Sequence, residues 1–596
     1  MNIKKKRAAL LKYVSLVLFF ILIISGFLSF VSLGIFAQED QSPQAAPLSK
    51  SFLEFLKGQE MRKWKNISDD GHPLGLVPSP REVLPFHVLP QVKIAGLPSS
   101  FDLRDWEKLP PVRDQGNCGS CWAFASFGSL ESFLRPIEKW NFSEQHLIDH
   151  HDFDWEPCDG GNIDMTTAYL ARWSGPITEQ DVPYIYSRPY DFAPLGLNVR
   201  KHVQNIIYLP PRKNSLDNDL IKQAIMSYGA VYTSMFFASK AYNPSSKAFY
   251  NPDKKKGAHA VAIVGWDDNF DKNKFNELPP GNGAFIARNS WGWNWGESGY
   301  FYVSYYDAYF ARRYYNAVIT AETKNNYKRI YQYDPLGATW DLGWGNSNTG
   351  WFSNIFTSVA RDSVIAVSFY SFGTSADYEV YIYSGVSPNN PRLGTLKLKQ
   401  TGSLSHPGYY TIKLKKSVSL RAGERFSVVV KLKTNNYNWP IAYEYPFKNY
   451  SSRAKAQAGE SFISPNGKNW YDLHTAWDGE FANSNVCLKA FTGYPPLYPP
   501  KNFAIQRLVN DLIFFKEYVN RLTWEENPQN KTTIVSYRLY RKAKGDPDIN
   551  YQLLEEISPN IFVFDDRGLK EEELYSYRIT SADEYGRESD PGEISN

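Results

Sequence analysis

The stretch Gln115-Gly-Asn-Cys118-Gly-Ser-Cys121-Trp122 places an amide side chain, two cysteines and a helix start within eight residues. Gly119-Ser120 suits the entry to a helix, and the run from Trp122 to Leu134 continues it. A thiol at a helix N-terminus is helped toward thiolate by the unpaired backbone N–H groups and the dipole there. Such a nucleophile needs an acid/base partner and a group that holds the partner. Both stand far downstream. His259 lies in an apolar run, Ala258 to Val264, bounded by Gly257 and Gly265, which reads as a strand buried on both faces. Asn289 opens Asn289-Ser-Trp291-Gly292. Taken alone, a Cys-x-x-Cys pair also suits redox or zinc chemistry, and a lone histidine is more often a packed one. All three motifs in one order favour the nucleophile.

Cys118-Gly-Ser-Cys121-Trp122, His259-Ala-Val and Asn289-Ser-Trp-Gly resemble, in that order, the papain-like cysteine peptidases. His259 follows Cys121 by 138 residues, inside the roughly 130–150 typical of that family. Asn289 follows by 168, so something is inserted between them. Residues 266–281 supply the insertion. Its alternating acids suit a calcium loop poorly, because Lys272 stands where glycine is needed and Leu278 where glutamate is needed. A solvated loop is expected instead.

The resemblance implies a two-lobed α+β domain over residues 97–320, starting near Leu97-Pro-Ser-Ser-Phe-Asp102-Leu-Arg104, with substrate in the cleft between the lobes. It implies Cys121 as nucleophile, His259 as proton carrier and Asn289 as the group orienting the imidazole. Gln115, with the Cys121 backbone N–H, would receive the oxyanion. Gly160 and Gly161 would pair with a peptide backbone, and Ala258 would line the pocket for the second residue upstream of the cut. Trp291 would cover the His–Asn pair beside the substrate. It further implies a Cys118–Cys158 disulfide, leaving Cys121 free. No cofactor and no metal is implied, and the partner is a polypeptide substrate.

At 596 residues the chain exceeds a single core, given about 100–200 residues per domain. A 43% hydrophobic fraction with 16% aromatics suits globular, strand-rich domains. The net charge of +4 offers no electrostatic case for a nucleic-acid partner. Four cysteines do not describe a disulfide scaffold; Cys487, in a strand-like run, is expected as a buried thiol.

Residues 1–37 carry Lys4-Lys-Lys-Arg7 and then an apolar run, which reads as a signal peptide or a membrane anchor. Either way the chain is exported, to an extracellular or cell-surface location. Residues 38–96 are rich in proline and resemble a propeptide by position, the other reading being a spacer. Apolar residues at 52, 55, 56 and 64 suggest a short helix there.

From 325 to 494, short aromatic strands separated by Gly, Asn and Ser indicate a β-sandwich, similar to the lectin-like domain attached to some secreted prokaryotic papain-like peptidases. Trp340, Trp344 and Trp351 are offered either to sugar rings or to a core. Pro495–Pro500 is a stiff linker. Residues 501–596 resemble a fibronectin type III module, with Trp524 between two sheets and Tyr575 as its tyrosine corner. The whole is expected as a multidomain chain: an α+β papain-like catalytic domain followed by all-β sandwich domains that bind a carbohydrate or cell-surface ligand. Two other functions remain open on residues alone, a surface adhesin on an inactive papain-like scaffold and a peptide acyl transferase.

Overall fold

The computed structural model describes residues 42–60, 67–81, 94–185, 192–253, 257–511 and 516–595. The leader or anchor expected at 1–37, and Trp64, lie outside them. Among the described residues no helix is long and apolar enough to cross a membrane.

Helix Cys121–Leu134 is apolar or small on nearly every side, and all of it but Phe133 is buried, as such a helix requires. It packs against strands Ala258–Asp267 and Asn316–Thr323. Helices Glu144–Asp149 and Ile163–Ala171 complete the helical lobe. Each is capped by the residue before it, the Ser143 hydroxyl accepting from the His146 N–H and the Asn162 side chain from the Met165 N–H.

In the sheet lobe, Ala258–Asp267 lies between Val231–Phe236 and Ala284–Arg288, antiparallel to both, with His259 opposite Met235. Nine of its ten residues are buried, which is why the sequence shows a continuous apolar run there rather than alternation. The sheet does not stop at the end of this lobe. Strand Lys201–Leu209 pairs with Asn316–Thr323 on one side and with Gly408–Leu420 on the other, Gly408 opposite Ile207 and Tyr410 opposite Asn205. Beyond it come Asp362–Ser371, Leu488–Gly493 and Arg329–Tyr331, so one 13-stranded sheet crosses the expected domain boundary.

A six-stranded sheet, ordered from Thr395–Leu404 through Ala376–Ser384, Arg425–Thr434, Thr349–Thr357 and Ser461–Ser464 to Tyr471–Asp472, forms the second layer after residue 325. Phe352 meets Phe369 edge-on across the two layers, ring centroids 6.3 Å apart. Trp340 is covered by the N-terminal segment. Its Nε1–H donates to the Ala46 carbonyl at 2.7 Å and its ring packs on Tyr445 and Phe447, because Gln44–Ala45 adds a strand to Trp340–Gly343. Trp344 packs on Tyr471 and Trp477. Trp351 stacks on Tyr381, with Arg392 and Lys431 over its ring.

Residues 501–595 form a second sandwich of three and four strands. Trp524 is buried between the sheets beside Tyr537. The buried tyrosine that bonds back along the chain is Tyr577 rather than Tyr575: its hydroxyl donates to Asp566 at 2.7 Å and accepts from Asn520 at 2.8 Å. Both tyrosines share a strand face, and the one deeper in the strand is the one enclosed. The 266–281 insertion is also less solvated than expected, since Phe270 and Phe275 are buried and Asp268 pairs with Lys222.

The segment before residue 97 is docked. Helix Lys50–Glu60 buries Phe52 against Phe447 and Tyr450 and Phe55 against Trp155. Residues 67–81 then run along the cleft.

Candidate active site

Cys121 is the first residue of its helix, and its Sγ accepts the Ala260 N–H at 3.4 Å. The thiol therefore lies against the strand that carries His259. The His259 Nε2 is 2.8 Å from Asn289 Oδ1. That oxygen can only accept, so Nε2 carries the proton. Nδ1 is buried without a well-formed hydrogen bond among the described residues, and the Leu74 backbone of the N-terminal segment bears on the ring. The Trp291 ring lies 4.9 Å from the imidazole at 26°, shielding the pair from water. His72 stacks on Trp291 at 4.3 Å.

Gln115 is fixed on three sides. Its backbone N–H donates to the Ser290 carbonyl at 2.8 Å, and its Oε1 accepts the Ser290 hydroxyl at 2.6 Å. Its Nε2–H group donates to the Cys118 carbonyl at 2.8 Å and the Pro73 carbonyl at 2.9 Å. The amide offered to an oxyanion thus holds a carbonyl oxygen of the N-terminal segment. Cys118 is disulfide-bonded to Cys158, and Cys121 and Cys487 are free and buried.

Gly161 pairs with the same segment: its N–H donates to the Gly75 carbonyl and its carbonyl accepts from Val77, both at 2.9 Å. A Cβ on Gly161 would stand 2.4 Å from the Trp122 ring, and one on Gly160 2.7 Å from the Gly75 oxygen. Glycine is what allows a strand so close. The Ala258 carbonyl accepts from the Leu76 N–H at 3.3 Å. The expected site residues Cys121, His259, Asn289, Gln115, Gly160, Gly161, Ala258 and Trp291 are therefore gathered along one groove. Sequence reasoning missed Ser290, which orients Gln115 and stands inside the Asn289-Ser-Trp291 motif, and Pro73, which no local pattern marks.

With the segment in place, burial disfavours the charged form of both reacting groups. Burial pushes the Cys121 thiol up to about 12, against the pull of N–H groups on Ala260 and Trp122. Burial likewise holds the His259 imidazole down to about 4, with Asn289 and the Leu74 backbone working the other way. The thiolate that the helix start favours is thus opposed by burial under the segment. No group of three or more metal-ligating side chains occurs among the described residues.

Residues 97–317 match the papain family cysteine protease model, and residues 330–492 match the lectin like domain model. Cysteine proteinase 15A of Pisum sativum is 31% identical over 237 residues, which are 37% of this chain and 62% of the relative. Cathepsin L of Sarcophaga peregrina is 30% identical over 213 residues, 34% of this chain and 58% of the relative. The chain thus spans only about three fifths of the length of these curated relatives. Among solved structures, the cysteine protease and lectin-like domains of Cwp84, a surface layer associated protein of Clostridium difficile, are 25% identical at a TM-score of 0.64, covering 76% of this chain and 98% of that one. A Cwp84 variant after propeptide cleavage is 26% identical at a TM-score of 0.58, covering 66% of this chain and 100% of that one. The chain carries a papain-family cysteine protease domain followed by a lectin-like domain.

Proposed function

We propose that the chain is an exported cysteine endopeptidase, made as a latent precursor whose N-terminal segment occupies the substrate groove. The observation that carries this reading is the Pro73 carbonyl on the Gln115 amide: a carbonyl oxygen stands where the oxygen of a reacting peptide would stand. It is not a bond positioned for cleavage. Leu76 pairs with Gly161 in the parallel sense, so residues after Pro73 lie on the side where a substrate would place residues before its cut. The segment fills the groove in reverse.

Once the segment leaves, water returns to Cys121 and His259 and the ion pair becomes accessible. The Cys121 Sγ then bonds to the substrate carbonyl carbon, and the oxygen takes up negative charge facing the Gln115 Nε2–H group and the Cys121 N–H. His259 gives its proton to the departing amine, and the C–N bond breaks to leave a thioester. Water, losing a proton to His259, attacks the thioester and frees Cys121. Asn289 holds the ring throughout without competing for the proton. Export through residues 1–37, by cleavage or by anchoring, and a cell-surface location agree with the surface-layer association of Cwp84. The lectin-like domain and the C-terminal sandwich, which we read as fibronectin type III-like, would hold the enzyme to a carbohydrate or protein ligand there.

The test is peptide hydrolysis by the chain freed of residues 38–96, beside the same preparation of Cys121→Ala. Hydrolysis by the first and none by the second is expected. Undiminished hydrolysis by Cys121→Ala would overturn the assignment.

A further inference from the structure

Arg81, the last residue of the described stretch 67–81, lies in a pocket built by two domains. Its Nε–H donates to Asp341 Oδ2 at 2.7 Å and one Nη–H to the Ala338 carbonyl at 2.6 Å, while the other Nη lies 3.5 Å from Asp164 Oδ1. The guanidinium carbon sits 3.7 Å from the Phe372 ring centroid. Asp164 belongs to helix Ile163–Ala171 of the protease domain, and the other three groups belong to the lectin-like domain. Arg81 is 6% exposed and Asp341 fully buried.

Besides Arg81 and the Ser79 hydroxyl on Asp164, groups outside the segment also hold the two carboxylates. Tyr437 donates its hydroxyl to Asp341 Oδ2 at 2.9 Å, and Tyr208 donates to Asp164 Oδ1 at 3.1 Å. Asp341 sits on strand Trp340–Gly343 opposite Ala442. Its Oδ1 is buried with no hydrogen-bond partner among the described residues. Departure of the segment leaves two carboxylates around a pocket whose remaining donors are neutral hydroxyls, and a buried carboxylate left so attracts a cation. A carboxylate, a carbonyl and an aromatic face set around one plane fit a guanidinium better than an ammonium.

The pocket also lies on the path of a substrate. Leu76, beside Gly161, is five residues before Arg81, and an extended Pro-Ser-Pro stretch advances about 3.1 Å per residue, so the two places are roughly 15 Å apart. A peptide whose second residue upstream of the cut lies at Gly161 reaches this pocket with about its seventh. We infer that the Arg81 pocket is a substrate subsite, shared by the protease and lectin-like domains, that takes an arginine side chain about seven residues upstream of the scissile bond. The inference rests on the latent-peptidase reading above.

The test uses the chain freed of residues 38–96 and peptides identical but for arginine, lysine or citrulline at the sixth, seventh or eighth upstream position. Citrulline keeps the shape of arginine and removes its charge. About a tenfold lower KM for arginine than for citrulline at one of these positions is expected, at similar kcat, as suits a charge-assisted hydrogen-bonded group, with lysine in between. In Asp341→Asn the ratio should fall to about one. Equal KM values for arginine and citrulline at all three positions overturn the inference. If no peptide is cut, the peptidase reading fails, and the subsite is judged by the Kd of the same peptides on the freed Cys121→Ala chain, where equal affinities overturn it. Should Asp341→Asn not fold, uncut Arg81→Ala is titrated with ethylguanidinium. A rise in Tm that ethylammonium does not match supports the pocket, and no rise overturns it.

Discussion

The carbonyl oxygen of Pro73 accepts the side-chain N–H of Gln115 at 2.9 Å, and Gln115 is itself held by the Ser290 hydroxyl at 2.6 Å. On the latent-precursor reading, the first contact blocks the groove and the second outlasts it. Each gives a separable expectation.

Gly75 makes the close approach that brings Pro73 into place. Its φ is +88°, and a Cβ there would stand 2.1 Å from the Gly119 carbonyl oxygen, which is backbone and does not yield. Gly75→Ala should therefore weaken docking and raise the peptidase activity of the uncleaved chain at least several-fold. The measurement is hydrolysis by chain shown by mass to be intact. Activity as low as in the parent chain would mean that the segment does not depend on this contact.

Ser290→Ala removes the hydroxyl that aims the Gln115 amide while leaving the amide itself. Loss of an oxyanion donor costs about 10²–10³ in rate, as expected for Gln115→Ala. Ser290→Ala should cost less, on the order of tenfold in kcat with KM little changed. A loss confined to KM would place Ser290 in substrate binding instead.

The Asn289 Oδ1 holds the imidazole and also accepts the Ser290 N–H at 2.9 Å, so on the proposed mechanism it orients the ring, whereas His259 moves the proton. Asn289→Ala should accordingly lose less activity than His259→Ala in the segment-free enzyme. Equal losses with the fold intact, judged by circular dichroism, would show that the two cannot be divided in this way.

Acid should loosen the latent form. The docked His259 is held to about 4 against an ordinary 6.5, so in Cys121→Ala, where no thiolate can supply the proton internally, an uncovered imidazole takes up between those values a proton that the docked one refuses. Docking thus loses stability as pH falls through that window, by on the order of 3 kcal/mol for the full shift. Release of residues 38–96 from nicked Cys121→Ala chain, followed on a sizing column, should quicken from about pH 7 to about pH 4.5. A rate that does not change would remove His259 from the latch.

Much of the site was legible in the sequence. Cys121, His259 and Asn289 sit in local motifs that stay recognisable although an insertion lengthens the His259–Asn289 spacing, because an insertion lengthens a loop without moving the strands it joins. The helix near Phe52 was legible from its apolar spacing, and the two β regions from their short aromatic strands. The rest depended on tertiary pairing. Nothing local marks Pro73 as the residue that reaches Gln115, since a proline-rich stretch has no periodicity to show its facing side. Trp340 could not be told from a sugar platform until Gln44–Ala45 covered it. The sheet crossing the domain boundary at Gly408–Tyr410 is a long-range pairing, and the choice of Tyr577 over Tyr575 turns on depth within a strand.

The most direct test is the reactivity of Cys121 before and after the segment is removed. A thiol-directed peptidyl electrophile is added to the intact chain and to the chain freed of residues 38–96, and the labelled cysteine is mapped by mass spectrometry. Rapid labelling of Cys121 only in the freed chain, with Cys487 untouched in both, is the expected result. Labelling of Cys121 at the same rate in both, or failure to label it in the freed and folded chain, would contradict a latent enzyme built around this cysteine.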